Sequence, residues 1–173
     1  IQQECNSLMI ENLPGIAEAV RRIQEGDLSP VELMEFCLAR IERLDGQIGA
    51  WQHLDVRQAM YEAEQCAANL QDYARLPALY GIPVGVKDII DVAGFPTRGG
   101  WSGSSTEPVE QDAPAVQRLR QAGAIIVGKT TTTELACFDP SPTRNPWDLA
   151  HTPGGSSSGS AAAVAMGMCL GTL

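Results

Sequence analysis

The sequence predicts an α/β fold, a sheet with helices on both faces. Two observations predict it. Residues 14–74 carry apolar side chains at helical spacing, with capping residues where the helices begin. From Leu79 onward the texture changes to short apolar runs broken by Gly and Pro, and a helical stretch runs into a β-branched one.

The elements follow in order. In "PGIAEAVRRIQEGD", from Pro14, Ile16, Ala19, Val20 and Ile23 share a helical face, and Gly26 ends it. "SPVELMEFCLARIERLDG" opens with Ser29 as N-cap, Pro30 at the first helical position and Glu32 three residues after the cap. That is a capping box. Met34, Cys37, Leu38, Ile41 and Leu44 form its buried stripe, and Gly46 is expected to stop it. "IGAWQHL" fits a short strand. "VRQAMYEAEQCAANLQDYA" reads as a third helix with an Ala-rich face. The charges along these helices are solvated faces. "LYGIPVGVKDIIDVAGFPTRGG" reads as strands and turns, and "APAVQRLRQAGAIIVGKT" as helix, Gly stop and buried strand. "CFDPSPTRNPWDLAHTPGG" holds four prolines in nineteen residues and must be irregular. Two regions result: a helical one over 1–78 and an α/β one over 79–173, together one incomplete domain.

The 173 residues suffice for a domain with a core, and 44% hydrophobic against 19% charged residues places the chain among globular proteins. A net charge of −9 argues against a nucleic-acid surface, which needs clustered Lys and Arg. Cys5, Cys37, Cys66, Cys137 and Cys169 are scattered and odd in number, with no metal-ligand spacing. They read as reduced, buried thiols of a cytoplasmic protein. No apolar run is long enough to span a membrane, and no secretory signal opens the chain. The chain starts with Ile and ends in the apolar stretch "VAMGMCLGTL", so it reads as a fragment of a longer protein.

Gly123 to Thr130, "GAIIVGKT", matches the phosphate-loop pattern G-x-x-x-x-G-K-[ST]. The mechanism of that motif needs the middle residues to curl around phosphate. "AIIV" instead favours the strand itself, so a nucleotide site is not expected and Lys129 is a strand-end lysine without an assigned role. "HTPGGSSSGSAAAVA", His151 to Ala165, sets a Gly/Ser block against an Ala helix and raises the question of a nucleophilic serine. A serine needs a base. His53 lies in an edge-strand stretch, where a surface role is expected. His151 stands just before the block, with no orienting acid evident. Lys87 is a charged residue inside an apolar run, flanked by Val84, Val86, Ile89 and Ile90. Burial would lower its pKa and make it a base; the alternative is a lysine paired with Asp88 or Asp91.

Taken together, "GIPVGVKDIIDVAGFPT", "GKTTTTELA" and "PTRNPWDLAHTPGGSSSGSAAAVA", in this order, resemble the amidase signature family of serine hydrolases with a Ser–cis-Ser–Lys triad. The resemblance runs from about Leu79 to the end. It implies the amidase-signature fold, a mixed sheet flanked by helices, of which 79–173 is the first stretch. It places the family lysine on Lys87 and the bridging serine on Ser156, with a cis peptide bond between Gly155 and Ser156. It sets Ala136, Cys137 and Ser157 on the substrate side.

The family's nucleophilic serine lies in a later Gly/Ser stretch, which falls just past Leu173, and the oxyanion-hole N–H groups lie with it. The resemblance thus implies hydrolysis of a small amide, without metal or organic cofactor, by the longer protein; the 173 residues by themselves are expected to be inactive. A homodimer stays open, and neither a membrane nor a nucleic-acid partner is expected. Two alternatives remain. One is the subunit of glutamyl-tRNA(Gln) amidotransferase that is related to this family. The other is a truncated chain that only binds a partner. The amidotransferase subunit has a longer insert before "PTRNPWD" and usually reads "PGGSSGGS". This chain has only "CFDPSP" and "HTPGGSSSGS", which favours a stand-alone amidase.

Overall fold

A computed structural model describes residues 13–72 and 74–173. Cys5 lies outside the described residues. The order is α1 (Ile16–Glu25), α2 (Pro30–Ile48), β1 (Trp51–Leu54), α3 (Val56–Ala68), β2 (Pro83–Lys87), α4 (Pro114–Gln121), β3 (Ile125–Thr130), α5 (Ser158–Ala165) and β4 (Gly171–Thr172). Short 3-10 turns cover Leu70–Asp72 and Glu134–Ala136.

Ser29 caps α2 through a complete capping box. Its hydroxyl accepts the Val31 N–H at 3.1 Å, and the Glu32 carboxylate accepts the Ser29 N–H at 2.9 Å. The helix does not stop at Gly46. It runs to Ile48 and turns off at Gly49, which takes φ +68°. Two local forces carry it past Gly46. Ile48 is buried in the core, and Asp45 accepts the Ala50 N–H at 2.7 Å, which fixes the exit. The third helix is shorter than its sequence suggests. It ends at Ala68 with Asn69 as cap, because Asn competes for local backbone hydrogen bonds and favours helix ends.

The four strands form one mixed sheet in the order β1-β3-β2-β4. β3 and β4 both run parallel to β2, and β1 pairs antiparallel with β3 at the edge. α4 is the crossover from β2 to β3, and α5 leads into β4. Side chains alternate along β3, so its two faces feed two cores. Ile125 and Val127 pack with α2, α3 and α5, including Met34, Ile41, Ala59, Ala163 and Met166. Ile126 packs with Val84 and Val86 of β2 against α1 and α4, through Ile23 and Val116. The N-terminal helices therefore share their cores with the strands of the second region.

Candidate active site

β2 ends at Lys87, which faces Thr130 of β3. The Lys87 N–H donates to the Leu173 carbonyl at 2.8 Å. This pairing on both sides fixes the backbone from which the side chain projects. The side chain is buried, with 8% of the residue exposed. Its amine lies 2.6 Å from the Ser156 hydroxyl. Among the described residues no carboxylate forms an ion pair with Lys87. Burial pulls its pKa below the ordinary lysine value, which moves the amine toward the neutral form that can accept a proton.

Ser156 sits in the loop before α5, and the Gly155–Ser156 peptide bond is cis. The segment after β3 holds this loop by its backbone. The Ser156 carbonyl accepts the Thr133 N–H and the Thr132 hydroxyl, each at 3.1 Å. Close approach explains Gly155 and Gly159. A Cβ on Gly155 would lie 2.8 Å from the Thr133 methyl carbon. On Gly159 it would lie 2.2 Å from the Ala50 carbonyl oxygen and 2.5 Å from the Thr131 nitrogen. α5 thus rests directly on backbone. The Gly159 N–H donates to the Thr131 carbonyl at 2.9 Å, and the Ser160 and Thr130 hydroxyls share a hydrogen bond at 2.7 Å. The second half of the Gly/Ser block, Ser158 to Ser160, is therefore a close-packed junction.

A cavity of about 360 Å³ opens beside Ser156, lined by Thr133, Ala136, Cys137, Phe138, Gly155 and Ser156 among others. Ala136 and Cys137 are on its wall. Ser157 is exposed at the N-cap of α5 and is not part of the lining. Leu135 and Ala136 both take left-handed backbone, φ 47° and 58°, uncommon for residues with a Cβ. Hydrogen bonds hold them there: the Leu135 N–H donates to the Gly99 carbonyl at 2.7 Å, and the Ala136 N–H to the Thr133 carbonyl at 3.0 Å. Backbone held in sparsely populated regions clusters at ligand sites.

Among the described residues neither histidine is hydrogen-bonded to Ser156. His151 is exposed, and its Nδ1 lies 2.8 Å from the Asp148 carboxylate. His53 lies in β1, the edge strand, and is half-buried with its Nε2 enclosed; its pKa is lowered, chiefly by burial. The phosphate-loop match is a strand: Ile125 to Thr130 are all buried in β3. Lys129 in that strand is fully buried, 2.9 Å from the Asp88 carboxylate. Among the described residues, no group of three His, Cys, Asp or Glu could hold a metal ion. The site also uses Thr132 and Thr133, to which sequence reasoning assigns no role. Their signal is the threonine run directly after a buried strand.

The sequence profile of the family described as Amidase matches residues 32–173. The chain belongs to the amidase family. A Mycobacterium tuberculosis protein that carries the name amidase AmiB2 is 44% identical over 160 residues, covering 89% of this chain and 34% of that protein. A glutamyl-tRNA(Gln) amidotransferase subunit of Nitratidesulfovibrio vulgaris is 47% identical over 143 residues, covering 79% of this chain and 29% of the relative. The chain thus spans about a third of the length of the curated amidase relatives it matches. The peptide amidase of Stenotrophomonas maltophilia superposes with a TM-score of 0.82 at 35% identity, covering 90% of this chain and 34% of that one. The fold is that of amidase structures. No helix among the described residues is long and apolar enough to cross a membrane.

Proposed function

We propose that the protein is an amidase that hydrolyses the carbon–nitrogen bond of a small amide through a Ser–cis-Ser–Lys triad. The observation that carries this is the buried Lys87 amine 2.6 Å from the Ser156 hydroxyl. Lys87 is the base and Ser156 the relay. The nucleophile is a serine outside these 173 residues. Neutral Lys87 takes the Ser156 proton as Ser156 takes the proton of the attacking serine. The serine oxygen bonds to the amide carbon, and the carbonyl electrons move onto its oxygen, held by backbone N–H groups outside this chain. Collapse expels the amine or ammonia, which takes a proton back through Ser156. Water then repeats the attack and frees the acid. The cavity walled by Ala136, Cys137 and Phe138 takes the substrate.

The test is a panel of amides with the intact protein and its Lys87→Ala and Ser156→Ala variants. Loss of a general base costs about 10²–10⁴ in rate, so both variants should lose at least that factor in kcat. Wild-type turnover in either would refute the assignment. The identity to a glutamyl-tRNA(Gln) amidotransferase subunit supports a second reading, a subunit of an amidotransferase that acts on glutamyl-tRNA(Gln). That component would need partner chains for full activity. A stand-alone amidase turns over simple amides by itself.

A further inference from the structure

A second cavity, of about 440 Å³, adjoins the one beside Ser156. Pro140 and Thr152 line both, so the two meet along a shared wall. Their linings differ in chemistry. The near cavity has no charged side chain on its wall. The far cavity is lined by Ser141, Thr143, Arg144 and His151 among others. Neither is lined by an Asp or Glu, although the chain carries a net charge of −9.

The wall that carries Arg144 is a fixed frame. The Arg144 N–H donates to the Ile48 carbonyl at 2.8 Å, and the Thr143 hydroxyl donates to the Gly49 carbonyl at 2.8 Å, both at the end of α2. The Asn145 N–H donates to the His151 carbonyl at 2.8 Å and closes the loop. Among the described residues no carboxylate forms an ion pair with the Arg144 guanidinium. The acid of this loop, Asp148, is engaged elsewhere. One of its oxygens accepts the Ala150 N–H at 3.0 Å, and the other lies 2.8 Å from the His151 Nδ1. Asp139, just before Pro140, is exposed and lines neither cavity. A guanidinium presents a planar fork of donors that matches a carboxylate. Ligand sites combine apolar walls with a few placed polar groups that fix orientation. The paired cavities have that form: Ala136, Phe138 and Pro140 near Ser156, and one permanent cation at the far end.

We infer that Arg144 forms a carboxylate subsite, so that the substrate is an amide that also carries a carboxylate: the amide lies in the cavity beside Ser156, and the carboxylate reaches Arg144 in the adjoining one. The inference deepens the amidase reading and rests on it. Arg144 is a specificity-determining residue. It selects the charge at the far end of the substrate and takes no part in breaking the carbon–nitrogen bond. A chain of net charge −9 repels an anion at long range, and a cation in a cavity free of carboxylates offsets that repulsion where the ligand enters.

The test uses the intact protein and amides that differ only at the far end. One arm puts the carboxylate on the acyl part: glutaramate and adipamate against pentanamide and hexanamide. The other puts it on the leaving amine: N-acetyl-β-alanine against N-propylacetamide. The charged member of a pair should have the higher kcat/KM in at least one arm. A charge-assisted hydrogen bond contributes about tenfold or more, so Arg144→Gln should cut that preference by about tenfold, through KM rather than kcat. Arg144→Lys should keep part of the preference, and Arg144→Glu should abolish it. A preference that is the same in wild type and Arg144→Gln in both arms, or a wild-type preference for the neutral amides, overturns the inference and leaves the amidase reading standing. If no amide in either arm is hydrolysed, the amidase reading fails, and binding of the unreactive diacids glutarate and adipate, followed by NMR shift titration, decides the subsite alone. A Kd weakened about tenfold in Arg144→Gln sustains it. The same Kd in both proteins, or no binding to wild type, overturns it.

Discussion

Replacing Gly159 by alanine should push α5 off the sheet. The added Cβ would lie 2.2 Å from the Ala50 carbonyl oxygen, where ordinary contact begins at 3.4 Å, so a shift of about 1 Å is required. All three atoms in the way belong to backbone, one of Ala50 and two of Thr131, and none can swing aside. Overpacking of this kind costs about 1–3 kcal/mol. The shift also breaks two buried hydrogen bonds, Gly159 N–H to Thr131 and Ser160 to Thr130, worth about 1 kcal/mol each. Alanine returns about 1 kcal/mol through its better helix propensity. The net expected loss is about 2–4 kcal/mol. The same movement carries Ser156, three residues upstream, away from the Lys87 amine. A 1 Å misplacement of a catalytic group can cost about 10²-fold in rate. Urea denaturation and kcat on the intact protein measure both effects. Stability within about 0.5 kcal/mol of wild type together with unchanged kcat would refute the close-packing argument.

Gly46→Ala is the counterpart. A Cβ there meets nothing within 4 Å, inside α2, so the same denaturation assay should show a gain of about 0.5–1 kcal/mol. The burial that lowers the Lys87 pKa makes the active base form appear below the ordinary lysine range. kcat/KM should therefore rise with pH along a limb that lies below that range, and a limb at or above the free-lysine value would refute a desolvated base. The sign for stability is the same: the unfolded chain holds this proton more tightly than the folded one, so the Lys87 contribution grows as pH rises from the folded pKa to the unfolded one. Burial pushes the Cys169 thiol up to about 12 and raises that of Cys37, while Cys137 is exposed. Brief alkylation of the native protein near neutral pH should label Cys137 and leave those two unmodified, as read by mass spectrometry.

The elements that sequence reasoning reaches are those with a local cause. Ser29, Pro30 and Glu32 announce the start of α2 because a capping box is made by neighbours in sequence. "AIIV" announces β3 because its residues are buried on both faces of the sheet. The end of α2 lies past Gly46, where sequence reasoning sets it, because the force that carries the helix on is tertiary, the burial of Ile48 and the Asp45 contact to Ala50. The same divide runs through the site. A charge within an apolar run singles out Lys87, but the choice between a base and a lysine paired with Asp88 or Asp91 needs the third dimension. Asp88 is engaged by a lysine 41 positions later in the chain. Nothing near Asp88 in sequence shows that partner.

The threonine run after β3 links these scales. Thr130 to Thr133 are all buried although each carries a hydroxyl, and a buried hydroxyl is costly unless bonded. Each finds a partner at a different place. Thr130 bonds Ser160 of α5, Thr131 bonds the Gly49 carbonyl at the end of α2, Thr132 bonds the Ser156 carbonyl, and Thr133 bonds the Cys137 carbonyl beside the cavity. Four consecutive residues thus tie the end of β3 to the helix, the relay loop and the pocket wall. Valine would keep the shape and β propensity of each position but orphan the acceptor it serves. The run is polar because the sheet ends in a junction of backbone groups, and that junction sets where Ser156 meets Lys87.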